Sequence, residues 1–279
     1  MELIYRPLTE DNDDVFLEIT EPLYRSSRVE INKRKTMLVY KESTPVGWLY
    51  MNLPDNKQYD VYVFVYVAPV WRRQGIGTEI FRYTKTKMEG YTGGWWVMYP
   101  EMEAADPFAR RMRAEFVNSN YHMVYAGGCP ELLTEGIRPY HEETDFPAAP
   151  EIWNREYANL HKRLGLPDVE PEILTEDDRN DYREFAEVTY VIEEDHKIVG
   201  IGGLFSEGDG IGMLAVDAAY TGKGLGTRLA VFLTQESIRR GYSNPHLYCE
   251  DGNDNALHIY EKIGYRKEYC EKWAMRKHI

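Results

Sequence analysis

RRQGIGTEIFR at Arg72–Arg82 and TGKGLGTRLAV at Thr221–Val231 are two versions of one element. Each is a glycine-spaced loop that runs into an amphipathic stretch. Each follows a hydrophobic run, ending Val67-Ala-Pro-Val-Trp71 in the first copy and Val216-Asp-Ala-Ala-Tyr220 in the second. Closely spaced glycines ahead of a helix let backbone N–H groups face a phosphate, and the helix dipole favours the negative charge there. Gly75 and Gly77, and Gly222, Gly224 and Gly226, meet that requirement. Recurrence in the same strand–loop–helix setting favours a shared anion site over two unrelated tight turns. No G-x-x-x-x-G-K-[ST] is present, and Gly222, Gly224 and Gly226 lie too close together for the dinucleotide fingerprint. Only the first loop carries an arginine, Arg72, at its head; Thr221 holds that place in the second.

The elements around the two loops also repeat. Before the first loop come a short strand (LIYRPL), a helix capped at Thr9 or Asp11, a hairpin turning at Ser43-Thr44-Pro45, and a long β-branched and aromatic strand, YDVYVFVYVAP. After it come a helix from about Gly77 to Met88, the strand GGWWVMYP, a helix over DPFARRMRAEFVNSN with Asp106 at its cap and Pro107 at its first position, and the strand YHMVYAG. Around the second loop lie a hairpin turning at Glu194-Asp195-His196, the strand GIGMLAV, a helix from Gly224 onward, the strand HLYCE, the helix NDNALHIYEKIG and a final strand or pair from Tyr265. The segment between, flanked by prolines and holding one amphipathic helix, reads as a linker. The expected division is an N-terminal domain over 1–126, a linker with a helical insert over 127–167, and a C-terminal domain over 168–279. The acidic stretch from Pro167 to Glu187 would then hold a shortened first strand and helix. The expected fold class is mixed α/β, with mostly antiparallel central sheets flanked by helices.

The 279-residue length suits two domains. A net charge of −13 argues against a nucleic-acid surface and would attract a cationic substrate. The amino-terminal stretch MELIYRPLTEDNDD has no basic start, and no apolar run approaches the ~18 residues needed to cross a bilayer. Cys129, Cys249 and Cys270 form an odd, unpatterned set that fits a reducing compartment. The expectation is a cytoplasmic protein, monomer or homodimer, with no metal: the histidines show no H-E-x-x-H or Cys/His metal spacing. Trp95 and Trp96 read as strand aromatics, packed in the core or stacked on a cation.

VAPVWRRQGIGTEI resembles the acetyl-coenzyme-A loop of the GNAT superfamily of N-acetyltransferases, Arg/Gln-x-x-Gly-x-Gly/Ala after the central strand. VDAAYTGKGLGTRL is similar, departing from the pattern at Thr221. NDNALHIYEKIGY is similar to a second motif of the family, matched by Asn253, Ala256, Tyr260, Glu261, Gly264 and Tyr265. The resemblance implies two tandem GNAT-like domains using acetyl-CoA as co-substrate. The coenzyme would be held in the second domain by Ala215, Val216, Thr221, Gly222, Lys223, Gly224, Leu225, Gly226, Thr227, Asn253 and Tyr260. In the first domain Val67, Arg72, Arg73, Gly75, Gly77 and Thr78 would hold it. It further implies direct acyl transfer to a primary amine, a small molecule or a peptide, with backbone N–H groups near Ala215 and Val216 polarising the thioester. Tyr260 would protonate the leaving thiolate.

Aligning the halves by Tyr121 and Tyr265 puts Phe116 opposite Tyr260, Met112 opposite Ala256 and Ala109 opposite Asn253. On that alignment the first half lacks the phenol and the asparagine, so the C-terminal domain is expected to be catalytic and the N-terminal one degenerate. The family's usual glutamate base falls at Gly210, which leaves Asp209, Glu207 and Glu250 as candidates. A water chain, or an amine already neutral, would dispense with a base. The rival expectation is a non-catalytic acyl-CoA-binding or regulatory protein of the same fold. Tyr260 and Asn253 favour the enzyme; Thr221 and Gly210 favour the rival.

Overall fold

A computed structural model describes residues 2–21, 33–100, 105–128, 134–166 and 170–276. Cys129 lies outside these residues; Cys249 and Cys270 carry free thiols. The chain forms two compact units, Met1–Ser119 with Tyr269–Ile279, and Asn120–Glu268. These cut across the chain-order division at 126, 167 and 279.

Unit 1 is built on strands β1 (Ile4–Pro7), β2 (Thr36–Lys41), β3 (Thr44–Asn52), β4 (Val61–Val67) and β5 (Trp95–Pro100). Its helices among the described residues are α1 (Asp13–Ile19), α2 (Ile76–Lys87) and α3 (Ala105–Arg111). β4 and β5 run parallel and the pairs β1–β2, β2–β3 and β3–β4 antiparallel. The strand β12 (Tyr265–Arg276) extends the sheet by pairing antiparallel with β5 from Glu271↔Pro100 to Arg276↔Trp95. Side-chain alternation sends Val61 and Val63 to one face, with Ile76, Ile80 and Phe81 of α2. Phe64 and Tyr66 go to the other, with Phe16, Trp48 and Met98. Both faces of β4 are therefore apolar, which is why its sequence reads as an unbroken hydrophobic run.

Unit 2 repeats the plan with β7 (Ile137–Pro139), β8 (Thr189–Glu194), β9 (Lys197–Leu204), β10 (Gly210–Val216) and β11 (His246–Glu250). Its longer helices among the described residues are α4 (Ala148–Leu164), α5 (Glu176–Glu184), α6 (Leu225–Arg239) and α7 (Asp254–Lys262). β10 and β11 run parallel, and β11 pairs antiparallel with the second half of β6 (Glu115–Tyr125), from Glu250↔Asn120 to His246↔Val124. The β8–β9 hairpin turns where expected, on Asp195 and His196 with φ of 51° and 61°, a left-handed pair that matches strand twist.

Three sequence expectations need correction. The segment read as a linker is the start of unit 2: β7 pairs with β8 as β1 pairs with β2, and Tyr140, Ala149 and Ile152 are buried against Val191, Ile201 and Ala215. The inner face of β8–β10 needs a cover, and the apolar stripe of α4 supplies it. Among its described residues the acidic stretch holds α5, its Thr175 hydroxyl accepting from the Asp178 N–H, and the start of a 3-10 turn at Ala186–Val188, but no strand. The helix expected over DPFARRMRAEFVNSN ends at Arg111, and Glu115 already begins β6.

Each loop enters its helix through a glycine in the left-handed region, Gly75 at φ 84° and Gly224 at φ 79°. Two residues earlier the loops differ: Gly222 (φ 85°) is matched by Arg73, strained at φ 63°. Arg73→Gly should therefore be more stable than Arg73→Ala by ~1 kcal/mol, since both lose the side chain and only glycine relieves the strain. Denaturant midpoints of the two variants check this.

Candidate active site

In each unit the parallel central pair starts together and then parts. β4 and β5 are in register at Val61↔Trp95, Tyr62↔Trp96 and Val63↔Val97. β10 and β11 are in register at Gly210↔His246 and Ile211↔Leu247. Beyond those points the strands separate towards the glycine loop, leaving a wedge in which main-chain N–H groups of the central strand can meet a ligand. A Cβ built on Gly75, Gly222 or Gly224 would meet no atom within 4 Å, so the loop backbone faces open space. A wedge with free amides below a helix N-terminus fits an acyl thioester on a phosphate-bearing carrier.

In unit 1 the wedge is a cavity of about 470 Å³. Val67, Arg73, Gly75, Gly77 and Thr78 line one wall, with Arg72 beside them; Met98, Tyr99 and Phe108 line the other. Arg72 is engaged by the protein itself. Its Nε donates to the Val67 carbonyl at 2.9 Å, its Nη2 to Glu21 Oε2 at 3.2 Å, and the guanidinium lies over the Tyr66 ring. The arginine at the head of the first loop thus ties the loop to its strand, and the fork expected for phosphate is partly spent.

The backbone also corrects the alignment of the two halves. In unit 2, Ile263 N–H bonds Ile259 O and Gly264 N–H bonds Glu261 O, with Gly264 at φ 108°. In unit 1, Met112 N–H bonds Phe108 O and Arg113 N–H bonds Arg110 O, with Arg113 at φ 60°. Arg113 therefore matches Gly264, and Ala109, not Phe116, matches Tyr260. The helix–glycine contacts agree: a Cβ on Gly77 would meet Phe108, and one on Gly226 would meet Ile259. Phe116 is an exposed strand residue. The misalignment arose because the closing tyrosines were matched across a helix end that comes earlier in unit 1. Unit 1 still lacks a phenol at this place.

In unit 2 the side chains converge at the end of β11. Tyr260, on α7, is buried, with its ring edge-on to Tyr265 at 5.9 Å. Burial raises its phenol far above the ordinary value, and Cys249, Tyr265 and Glu250 push the same way, so it is held protonated. Glu250 is lifted above the usual carboxylate range by burial, against the pull of its own backbone N–H and of His161 on α4. Asn253 is the N-cap of α7, its N–H bonded to Glu250 O at 3.1 Å and its side chain making no cap bond. Ala215 and Val216 stand on the diverging end of β10, Leu225, Gly226 and Thr227 open α6, and Lys223 Nζ sits over the Tyr220 ring at 4.7 Å. Thr221 ends the turn, its N–H on Ala218 O.

The other base candidates are elsewhere. Asp209 precedes β10, about 20 Å along the strand from Val216, and faces His246 Nε2 at 3.5 Å. Glu207 is exposed, in the β9–β10 connection. His161 was missed because it lies in the segment read as a linker. The repeat order was the available signal, since an amphipathic helix should follow the first strand of each unit.

Replacing Gly224 by valine forces a branched side chain to φ 79° and should weaken acetyl-CoA binding about tenfold or more. Calorimetry with acetyl-CoA tests it, with Gly75→Val as the matching change in unit 1; an unchanged dissociation constant would rule out this loop as the phosphate site. Among the described residues no group of three or more His, Cys, Asp or Glu could hold a metal ion, and no helix is long and apolar enough to cross a membrane.

The sequence profile of the Acetyltransferase (GNAT) family matches residues 3–113 and 147–265, one segment for each repeat. No curated protein sequence matches the chain. Solved structures share its fold at low identity. A GCN5-related N-acetyltransferase from Sphaerobacter thermophilus is 16% identical over 99% of this chain and 95% of its own, with a TM-score of 0.66. A tandem GNAT protein from the clavulanic acid biosynthesis pathway, solved without AcCoA, is 14% identical over 99% and 98%, with a TM-score of 0.60. An acetyltransferase from Pyrococcus horikoshii is 14% identical over 99% and 90%, with a TM-score of 0.59.

Proposed function

Because the chain belongs to the GNAT family of acetyltransferases, we propose that it moves an acetyl group from acetyl-CoA to a primary amine and that unit 2 carries the transfer. The observation behind this reading is the convergence of Glu250 and Tyr260 at the end of β11, beside the wedge and the second glycine loop. Backbone amides of Gly222, Gly224, Gly226 and Thr227 would hold the pyrophosphate. When bound, acetyl-CoA supplies an activated acyl group whose sulfur leaves as a thiolate.

The chain's own residues do the rest. Main-chain N–H groups near Ala215 and Val216 stabilise charge that develops on the acyl oxygen. Glu250 accepts the proton that the attacking nitrogen must lose as the C–N bond forms. Tyr260 donates its phenolic proton as the C–S bond breaks. The raised carboxylate suits this division, because a base closer to neutrality takes a proton from an ammonium more readily. Unit 1 has the loop and the cavity but Ala109 in place of the phenol, so it is read as a coenzyme-binding unit. Purified protein with acetyl-CoA and a panel of primary amines, followed by thiol release, tests the reading. Release no faster than hydrolysis with every amine would overturn it.

A further inference from the structure

The cavity of unit 1 passes through its sheet. Neighbouring residues of a strand point to opposite faces, and the cavity is lined by consecutive residues of both parting strands, from Phe64 to Val67 on β4 and from Val97 to Tyr99 on β5. Val65, Val67, Val97 and Tyr99 belong to the face packed by α2. Phe64, Tyr66 and Met98 belong to the face packed by α1. The parted strands therefore leave a channel that runs from the glycine loop to the opposite side of the sheet.

The chemistry of the channel is one-sided. Its charged lining residues are Arg72, Arg73 and Arg111, and among the described residues no carboxylate lines it. An ammonium inside would meet cations and no counter-charge, so the channel is unsuited to an amine. The far end is apolar. Tyr66 spends its hydroxyl on the Ile19 carbonyl at 2.8 Å and the Glu21 N–H at 3.1 Å, which leaves its ring to the channel. Trp48 stacks on Phe64 at 4.9 Å and on Tyr66 at 5.3 Å, so both rings are held in place. Met98 completes the far wall with an adaptable thioether. Unit 2 differs at this point. Matching the last paired residues of the two parallel pairs, Val63↔Val97 and Ile211↔Leu247, puts Pro100 where unit 2 has Glu250. Unit 1 thus lacks the counterparts of both Tyr260 and Glu250, yet keeps an apolar channel behind a cationic loop.

We propose, resting on the reading of unit 1 as a coenzyme-binding unit, that this unit binds without transferring it the coenzyme A thioester of a straight-chain fatty acid of about four to six carbons. The loop amides and Arg73 take the pyrophosphate, the thioester lies between the parted strands, and the chain ends against Phe64, Tyr66 and Met98. Layers packed on a sheet lie ~10 Å from it, so the far wall begins ~5 Å beyond the sheet plane, within reach of a chain of about four to six carbons. Transfer in unit 2 plays no part in this binding.

The test follows the Met98 methyl group by NMR in the full-length protein with no amine present, a signal local to unit 1 whatever occupies unit 2. The ligands are coenzyme A, acetyl-CoA, butyryl-CoA, hexanoyl-CoA and decanoyl-CoA, with sodium hexanoate as the chain without its carrier. Expected is a saturable shift with each CoA species, and a dissociation constant that falls about tenfold for each two carbons added up to hexanoyl. Decanoyl-CoA should bind no tighter than hexanoyl-CoA, and hexanoate at the same concentrations should leave the signal unmoved. Met98→Ala, followed through the indole N–H of Trp71, which also lines the channel, should deepen the far end and make decanoyl-CoA the tighter ligand. Thermal midpoints check that this variant is folded; the ligand series on the parent decides the matter without it. Equal affinity for acetyl-CoA and hexanoyl-CoA would overturn the chain site and leave unit 1 a coenzyme-binding unit. No shift with any CoA species would overturn both. Hexanoate binding as tightly as hexanoyl-CoA would overturn the carrier, decanoyl-CoA binding tighter in the parent would overturn the chain length, and an unchanged order in folded Met98→Ala would overturn the placing of the chain.

Discussion

Tyr260→Phe should lower turnover by ~10²-fold while acetyl-CoA binds almost as before. The ring remains to pack against Tyr265, so only the hydroxyl is tested. A thiolate with a solution pKa of about 8.5 leaves tolerably well without help, which places the effect at the low end for a general acid. The thermal midpoint should change little. Turnover equal to that of the parent, or a loss matched by unfolding, would leave Tyr260 as a packing residue. Because Ala109 occupies the corresponding place in unit 1, the variant also measures what unit 1 contributes: residual turnover that survives Tyr260→Phe but falls with Gly75→Val would belong there.

Glu250→Gln is expected to cost more, ~10²–10⁴-fold in kcat/KM, if the carboxylate takes the amine's proton. The pH dependence fixes the sign. Burial raises Glu250, so the ionised, proton-accepting form is lost as pH falls through a value above the ordinary carboxylate pKa. The acidic limb of the kcat/KM profile should therefore lie above that range in the parent and disappear in Glu250→Gln. His161 is a positioning residue here, since its charge favours the ionised carboxylate. His161→Asn should move the acidic limb to higher pH without removing it. An acidic limb identical in parent and Glu250→Gln would assign the base elsewhere.

Much of this was legible in the sequence where the signal is local. Glycines at fixed spacing after a β-branched run placed both loops, and the Asn253–Tyr265 pattern placed α7 and its tyrosine. Asp195 and His196 marked their turn correctly. What was lost was non-local or short. β7 has three residues, too few for any alternation to register, so α4 behind it looked like an insert between domains. The end of α3 was hidden because Met112–Ala114 carry no helix-stopping glycine: Arg113 adopts the left-handed backbone that Gly264 adopts in unit 2. Without that punctuation the halves slid out of register and Phe116 took the place that belongs to Ala109. Glu250 and Asp209 could not be told apart by sequence, since only the wedge shows which end of the parallel pair is open.

The pairing of β12 with β5 has a consequence for synthesis. On the ribosome, domains generally fold in the order in which they emerge. Here unit 1, begun first, is completed after unit 2. Every residue of unit 2 has been made by Glu268, whereas the sheet of unit 1 still lacks the strand beside β5 until the codons for Tyr269–Arg276 have been read. Until then β5, with its run Trp95-Trp96-Val97-Met98-Tyr99, presents unpaired N–H and C=O groups along an apolar strand, the kind of edge that recruits other chains. A nonsense mutation or ribosome stall just before residue 269 would therefore leave the earliest-made part of the protein unfinished. The strand that follows unit 2 in the chain thus completes the sheet begun before it.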